Sequence, residues 1–261
     1  MGFFGAIFAA ISYAVFLASF VYAIGFVGDF LVPKSIDAPA AAGGWMGFAI
    51  DAAVLGLFAV QHSVMARPAF KRVWTRIVPP SIERSTYVLV SSLLLALIFW
   101  AWQPLGGVVW DWRGGIAGQA LWALYAVGWL VVLLSTFMIS HFELFGLTQA
   151  WQRLRGRPIE TPSFKVVLLY RFVRHPIMLG FLVAFWAAPV MTYGHLLFAL
   201  LTTGYILVGV QLEEHDLLAY FGSTYAQYRE RVPMLVPFMK RFSRRSGTPG
   251  SSAAAAHNPP H

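Results

Sequence analysis

Arg174-His175-Pro176-Ile177-Met178-Leu179-Gly180 sets a guanidinium and an imidazole at the start of an apolar run, and Glu213-Glu214, Gly222, Tyr225 and Tyr228 follow where that run ends. Ionisable groups at both ends of an apolar hairpin can hold a polar ligand at a membrane surface. Asp51, Gln61 and His62 lie inside another apolar run, and His141 and Glu143 close a third. Each costs free energy in hydrocarbon unless a partner or a cavity meets it, so these are the places where chemistry can sit.

The elements that must carry these groups follow from composition. The 261 residues are 58% hydrophobic and 11% charged, against about 25% charged for a soluble domain, which marks an integral membrane protein. Spanning a bilayer core takes about 20 helical residues. Phe3 to Val27, Trp45 to Ala66, Thr86 to Gln103 and Ile116 to Ser140 are long enough, and Asp51 is the one formal charge inside them. A fifth run, Ile177 to Gln211, is broken near Tyr193-Gly194-His195. Split there, it gives two helices of about 16 or 17 residues, each roughly 25 Å long: a tilted or partly re-entrant hairpin, or two ordinary crossings. The predicted fold is all-α, a polytopic transmembrane bundle of five or six spans, the last two a short hairpin, followed by cytoplasmic amphipathic helices.

Phe3 to Val27 reads as a retained span rather than a signal peptide, since it lacks a basic flank and a small-residue cleavage site. The absence of cysteine excludes disulfides, thiolate metal sites and a cysteine nucleophile. The net charge of +8 is concentrated in three places: Arg67 to Arg84, Arg153 to Arg174, and Arg229 to Arg245, with Lys34 and Arg113 in the alternate loops. That distribution follows the positive-inside rule and points to the lipid bilayer as partner, not nucleic acid. It predicts a bacterial inner-membrane protein with both termini and the polar cluster on the cytoplasmic side. Residues 1–242 form one membrane domain, and 246–261, rich in Ser, Gly, Ala and Pro, offer nothing to bury and are expected to be disordered.

Each candidate also has a structural reading. His62 can bond a backbone carbonyl at its helix end; Asp51, about 16 Å from it along the same face, can make an interhelical hydrogen bond; Glu143 can pair with an arginine of the next loop. Phe142 to Leu154 can lie flat at the interface. His62, His141 and His175 have neither the i, i+3 or i, i+4 spacing nor the acidic partners of a metal site, so none is predicted. Gln211 to Phe221 continues the last span as an amphipathic helix. Gly222 suits a left-handed cap and Ser223 an N-cap for a second helix that presents Tyr225 and Tyr228 on one side and stops at Pro233.

Arg174-His175-Pro176, Gly180, Glu213-Glu214, Leu217, Phe221-Gly222, Tyr225, Tyr228, Val232-Pro233 and Pro237-Phe238 resemble the C-terminal signature of the integral-membrane methyltransferases typified by isoprenylcysteine carboxyl methyltransferase and the phospholipid N-methyltransferases. The resemblance covers about residues 170 to 240, with Met178 where a tyrosine is usual. It implies a helical pocket for S-adenosylmethionine, lined by Arg174, His175, Pro176, Gly180, Glu213, Glu214, Tyr225 and Tyr228. Gln61-His62-Ser63-Val64-Met65-Ala66-Arg67, Phe70-Lys71, Thr75-Arg76, Val78-Pro79, Glu83 to Tyr87 and Phe142 to Leu147 resemble a narrower group, the methanethiol S-methyltransferases and related membrane proteins associated with nitrite and nitric-oxide reduction.

The narrower resemblance implies methyl transfer to a small apolar thiol, giving dimethyl sulfide when the thiol is methanethiol. A thiol is a weak acid, so a base must favour the thiolate. His62 is the first candidate, with Tyr87 and Glu143 after it. Two other readings fit the same chain. One is a methyltransferase for a lipid or prenylated substrate, which needs a wide lateral opening and a longer tunnel. The other is a non-enzymatic accessory or transport protein of denitrification, with His62 and His141 as haem ligands or transport-site residues.

Overall fold

The computed structural model describes residues 2–39, 44–159 and 164–237; the segment 246–261, expected to be disordered, lies outside them. Five helices are long and apolar enough to cross a membrane: α1 (Gly2–Gly28), α2 (Trp45–Ala66), α4 (Pro80–Ala101), α5 (Gly115–Ile139) and α9 (Tyr193–Phe221). Between them lie α3 (Pro68–Trp74), α6 (His141–Leu144), α7 (Leu147–Leu154) and α8 (Pro176–Trp186), and α10 (Ser223–Arg231) follows α9. Prolines set several boundaries. Arg67, ahead of Pro68, is extended, which separates α2 from α3 as a residue before proline tends to be. Pro80 opens α4 at its first position, where a missing N–H costs nothing.

The chain runs back and forth between two ends. At the first lie the start of α1, α3, α6, α7, the start of α8 and α10, together with the described basic residues of the three stretches; α7 crosses the first turn of α1, where Gly2 faces the Leu154 backbone. Outside, Phe4, Ile116, Leu130 and Val208 stand exposed, as a lipid-facing surface requires. Inside, Phe26, Phe99, Trp102, Tyr125, Trp129, Phe185 and Phe198 form one aromatic-rich core nearer the second end. Asp51 is fully buried there and accepts the Gln103 backbone N–H at 2.7 Å, so its partner is the chain just past the end of α4 and not, as expected, a group on another helix.

The last hairpin differs from expectation. Its first helix, α8, has 11 residues, about 16 Å at 1.5 Å per residue, and its second, α9, has 29, about 43 Å. The break lies at residues 187–192, because Val190–Thr192 (β2) pairs antiparallel with Val108–Asp111 (β1) from the loop after α4. Tyr193-Gly194-His195 therefore begins α9, whose first turn is capped by the Thr192 hydroxyl accepting the His195 N–H at 3.0 Å. A short helix and a strand together make the return that one long helix makes elsewhere.

Gly180 belongs to packing. It lies where α8 meets α5 most closely: a Cβ on it would stand 2.7 Å from the Gly128 carbonyl oxygen, and one on Gly128 would stand 2.7 Å from the Ala184 nitrogen. Two glycines facing each other let these helices touch backbone to backbone. This seam fixes α8, and with it the residues at its head.

Candidate functional site

At the head of α8, Arg174 and His175 are held before the helix begins, their backbone N–H groups donating to the carbonyls of Pro233 and Met234 at 2.9 and 3.2 Å. Pro176 is the buried first helical residue. This brings Arg174 and His175 against α9, which carries Glu213 and Glu214. Arg174 Nε donates to Glu214 Oε1 at 2.6 Å, and Nη1 donates to the carbonyls of Arg229 and Val232 at 2.9 and 2.5 Å. The pair is almost completely buried, at 1% and 4% side-chain exposure. Through Nε and Nη1 the guanidinium ties Glu214 of α9 to the end of α10 and so clamps α10 over α8 and α9, while the buried Nη2 makes no hydrogen bond among the described residues.

His175 lies between two carboxylates, Nε2 at 3.3 Å from Glu214 and Nδ1 at 3.5 Å from Glu213. Burial disfavours the imidazolium, but hydrogen bonds and charge from both glutamates outweigh it and raise His175 from 6.5 to about 9. The folded value lies above the unfolded one. Its contribution to stability is therefore complete below pH 6.5, shrinks as pH rises, and is gone once pH passes about 9. The thermal midpoint in detergent should fall across that window, and His175→Gln should flatten the fall. An equally steep fall in the variant would assign the effect to another group.

Glu213 behaves differently from Glu214. Its side chain is 46% exposed although it has Arg67 and Arg84 as well as His175 for charged neighbours, so it borders an accessible space inside a polar surround. Tyr225 and Tyr228 lie on α10, ring centroids 5.9 Å apart, and both meet Phe164. Tyr228 donates to the Tyr170 carbonyl at 2.6 Å, whereas the buried Tyr225 hydroxyl has no partner among the described residues. Gly222 has the positive φ expected of it, 57°, but its ψ of −129° is not that of a left-handed helical cap. Gly222 is itself the N-cap of α10, and Ser223 is the first helical residue. A cleft of about 360 Å³ opens beside Tyr228, between Arg171 and Arg231.

The second constellation is built from α2, α4 and α9. His62 does not bond a backbone carbonyl through its ring. Instead Nε2 lies 2.8 Å from the Tyr87 hydroxyl and Nδ1 lies 2.7 Å from the Tyr205 hydroxyl, while Phe58 stacks on the imidazole at 5.3 Å. Arg84 stands over the Tyr87 ring at 5.2 Å, and Arg67, anchored to Asp216 of α9 at 2.8 Å, adds a second positive charge nearby. Glu143 is not brought to this cluster. It sits on α6, its backbone carbonyl accepting from Gln149, and forms no ion pair among the described residues. His141 is engaged on both ring nitrogens, by Tyr13 and Thr136, each at 2.8 Å. Neither His62 nor His141 thus has a free ring nitrogen, which is poor preparation for ligating a haem.

Tyr205 was not among the residues singled out from sequence. It stands eleven residues before Asp216, close to three helical turns, so the two share the face of α9 that meets α2. One tyrosine in the apolar stretch from Leu200 to Val210 was the available signal. The row Tyr205, Gly209, Glu213 joins the two constellations, since i, i+4 neighbours stack along a helix, and a Cβ on Gly209 would meet nothing within 4 Å. Gly209 thus leaves the middle of the strip, about 12 Å long from the glutamate to the tyrosine, without a side chain of its own and without a neighbour pressed against it.

Curated relatives align with almost the whole chain. A methanethiol S-methyltransferase of Mycobacterium tuberculosis is 57% identical over 235 residues, 90% of this chain and 96% of that protein. Methanethiol S-methyltransferase 2 of Bradyrhizobium diazoefficiens is 54% identical over 92% of this chain and 91% of its own length. More distantly, nurim of Rattus norvegicus is 31% identical over 77% of this chain and 87% of that protein. No family model matches the chain, and no solved structure does.

Proposed function

The chain belongs to the methanethiol S-methyltransferase family, and on that premise we propose that it transfers a methyl group from S-adenosylmethionine to a small thiol, converting methanethiol to dimethyl sulfide. The observation that carries the reading is the α9 row that sets accessible Glu213 at one end and Tyr205, against His62, at the other. A donor-binding carboxylate and a proton acceptor thereby share one rigid support.

S-adenosylmethionine supplies an electrophilic methyl group on a sulfonium, which the thiol sulfur takes in line. The residues present suit such a donor: among the described residues, Glu213 has one carboxylate oxygen without a partner, open to an amine or ribose hydroxyls, and Tyr225 offers a buried hydroxyl without one. The Tyr228 ring suits adenine or the sulfonium, a cation-π contact being worth about 0.5–2 kcal/mol. His175 fixes the rotamer of Glu213, while Arg174, Glu214, Pro176 and Gly180 hold the frame around it. At the inner end His62 takes the thiol proton, Tyr87 orients it, and Arg67 and Arg84 provide the positive potential that favours a thiolate. By the positive-inside rule this end faces the cytoplasm of a bacterial inner membrane, and the apolar thiol and its product reach the site through the bilayer.

The test incubates detergent-purified protein with S-adenosylmethionine and a panel of thiols and assays the headspace for methyl sulfides. Dimethyl sulfide from methanethiol is the expected product. If no thiol is methylated, the reading fails even where the donor binds.

A further inference from the structure

Both nitrogens of His62 are occupied by tyrosine hydroxyls, and a neutral imidazole can donate from only one of them. A third contact favours one of the two arrangements. The Tyr87 hydroxyl also lies 3.4 Å from the His62 backbone carbonyl, to which it can only donate. Its proton directed there, the Tyr87 oxygen accepts from His62 Nε2–H. Nδ1 is then the nitrogen with the lone pair, and the Tyr205 hydroxyl donates to it.

The surroundings of the two tyrosines differ in the same sense. Tyr87 is buried, packed with Met65 and Val88 against Phe16, Phe70 and Phe145. Tyr205 is only partly buried and heads the strip that runs past Gly209 to Glu213. Of the two hydroxyls on the imidazole, that of Tyr205 is therefore the one on the less buried side.

We infer that Tyr205 is a catalytic residue: its hydroxyl is the group that touches the acceptor thiol, and it relays the thiol proton to Nδ1 of His62. This rests on the thiol methyltransferase reading above. In the step, the S–H bond breaks and its proton goes to the Tyr205 oxygen as the Tyr205 proton passes to Nδ1. The sulfur electron pair forms the new S–CH3 bond, and the donor's sulfonium C–S bond breaks, its electrons remaining on the departing sulfur. His62 is left as imidazolium, held between Tyr205 and Tyr87, and returns its proton to bulk water by the same path. The charged and titratable groups facing this relay are Arg84 and Tyr87 from α4, Arg67 at the end of α2, and Glu213 from α9, with Ser63 adjoining the Tyr205 hydroxyl.

The experiment compares Tyr205→Phe with the wild type on methanethiol and on a more acidic thiol, trifluoroethanethiol, across a range of pH. At neutral pH the variant should lose about 10²-fold in kcat with methanethiol and keep its affinity for S-adenosylhomocysteine. The defect should shrink at least tenfold with trifluoroethanethiol, or as pH rises, because a thiolate already formed needs no relay. An equal defect for both thiols at every pH, or no defect, overturns the assignment. Should Tyr205→Phe fail to fold, a fluorotyrosine at 205 takes its place: its more acidic phenol should move the rising limb of the kcat profile to lower pH, and an unmoved limb overturns the relay. A wild type that binds S-adenosylhomocysteine but methylates no thiol defeats the functional reading instead, so the two failures are distinguishable.

Discussion

Replacing His62 by alanine is expected to lower turnover by about 10²- to 10⁴-fold, the usual contribution of a positioned proton acceptor, with affinity for the methyl donor unchanged. The separation of the two constellations is the reason. His62 is held from α2, α4 and α9 by hydroxyls on its two nitrogens, whereas the groups suited to the donor gather at the Glu213 end of the strip, about 12 Å away. Removing the imidazole takes away the acceptor and leaves two tyrosines around a small cavity, and His175, Glu213 and the α10 tyrosines keep their contacts. Equilibrium dialysis with labelled S-adenosylhomocysteine, alongside single-turnover kinetics, checks both halves. A loss of donor affinity as large as the loss of turnover would move His62 into the donor pocket and leave the base unassigned.

Arg174→Ala should have a different signature, a loss of stability of about 3–5 kcal/mol, the cost of leaving one partner of a buried pair uncompensated. Glu214 would remain at 4% exposure with His175 at 3.3 Å and the partly exposed Arg229 at 3.8 Å as its remaining cations, and the carbonyls of Arg229 and Val232 would lose their donor. The thermal midpoint in detergent should drop, and proteolysis should begin around α10. Removing both charges with Arg174→Met and Glu214→Gln should recover part of the loss, since no lone charge is then buried. Glu213→Gln should lower the midpoint less than Arg174→Ala does, because His175 keeps Glu214 as its partner, while weakening donor binding. A stable Arg174→Ala protein that cannot bind the donor would instead make Arg174 a ligand contact.

Much of this arrangement could be read before any coordinates. The second apolar run, Trp45 to Ala66, is the observed α2, and two others agree within a residue or two at each end, because hydropathy and length are local properties. The run from Thr86 to Gln103 understates α4, which begins at Pro80: its first turn carries Glu83 and Arg84, and charge ends an apolar run without ending a helix. The break in the last apolar run, expected near Tyr193-Gly194-His195, falls a few residues earlier, at 187–192, because it depends on β1, some eighty residues before it, and no periodicity within the hairpin reports a partner so distant. The pairing of Arg174 and His175 with Glu213 and Glu214 was legible as charges at the two ends of one hairpin. Tyr205 was not, since a lone tyrosine in an apolar helix has the same local appearance whether it meets lipid or a histidine. The packing of Gly180 was hidden for a related reason: a motif glycine one turn from ionisable residues reads as part of their pocket, and only the fold sets Gly128 against it.

That Tyr205, Gly209 and Glu213 ride on one uninterrupted helix limits how this chain can change over evolution. A single residue inserted between Tyr205 and Glu213 would rotate one against the other by about 100° and displace them by about 1.5 Å, separating proton acceptor from donor site even if every side chain were kept. Loops such as the one before α8 can absorb insertions at the surface. The stretch from 205 to 213 can vary in composition, within the demands of lipid and of the strip, but its length is fixed.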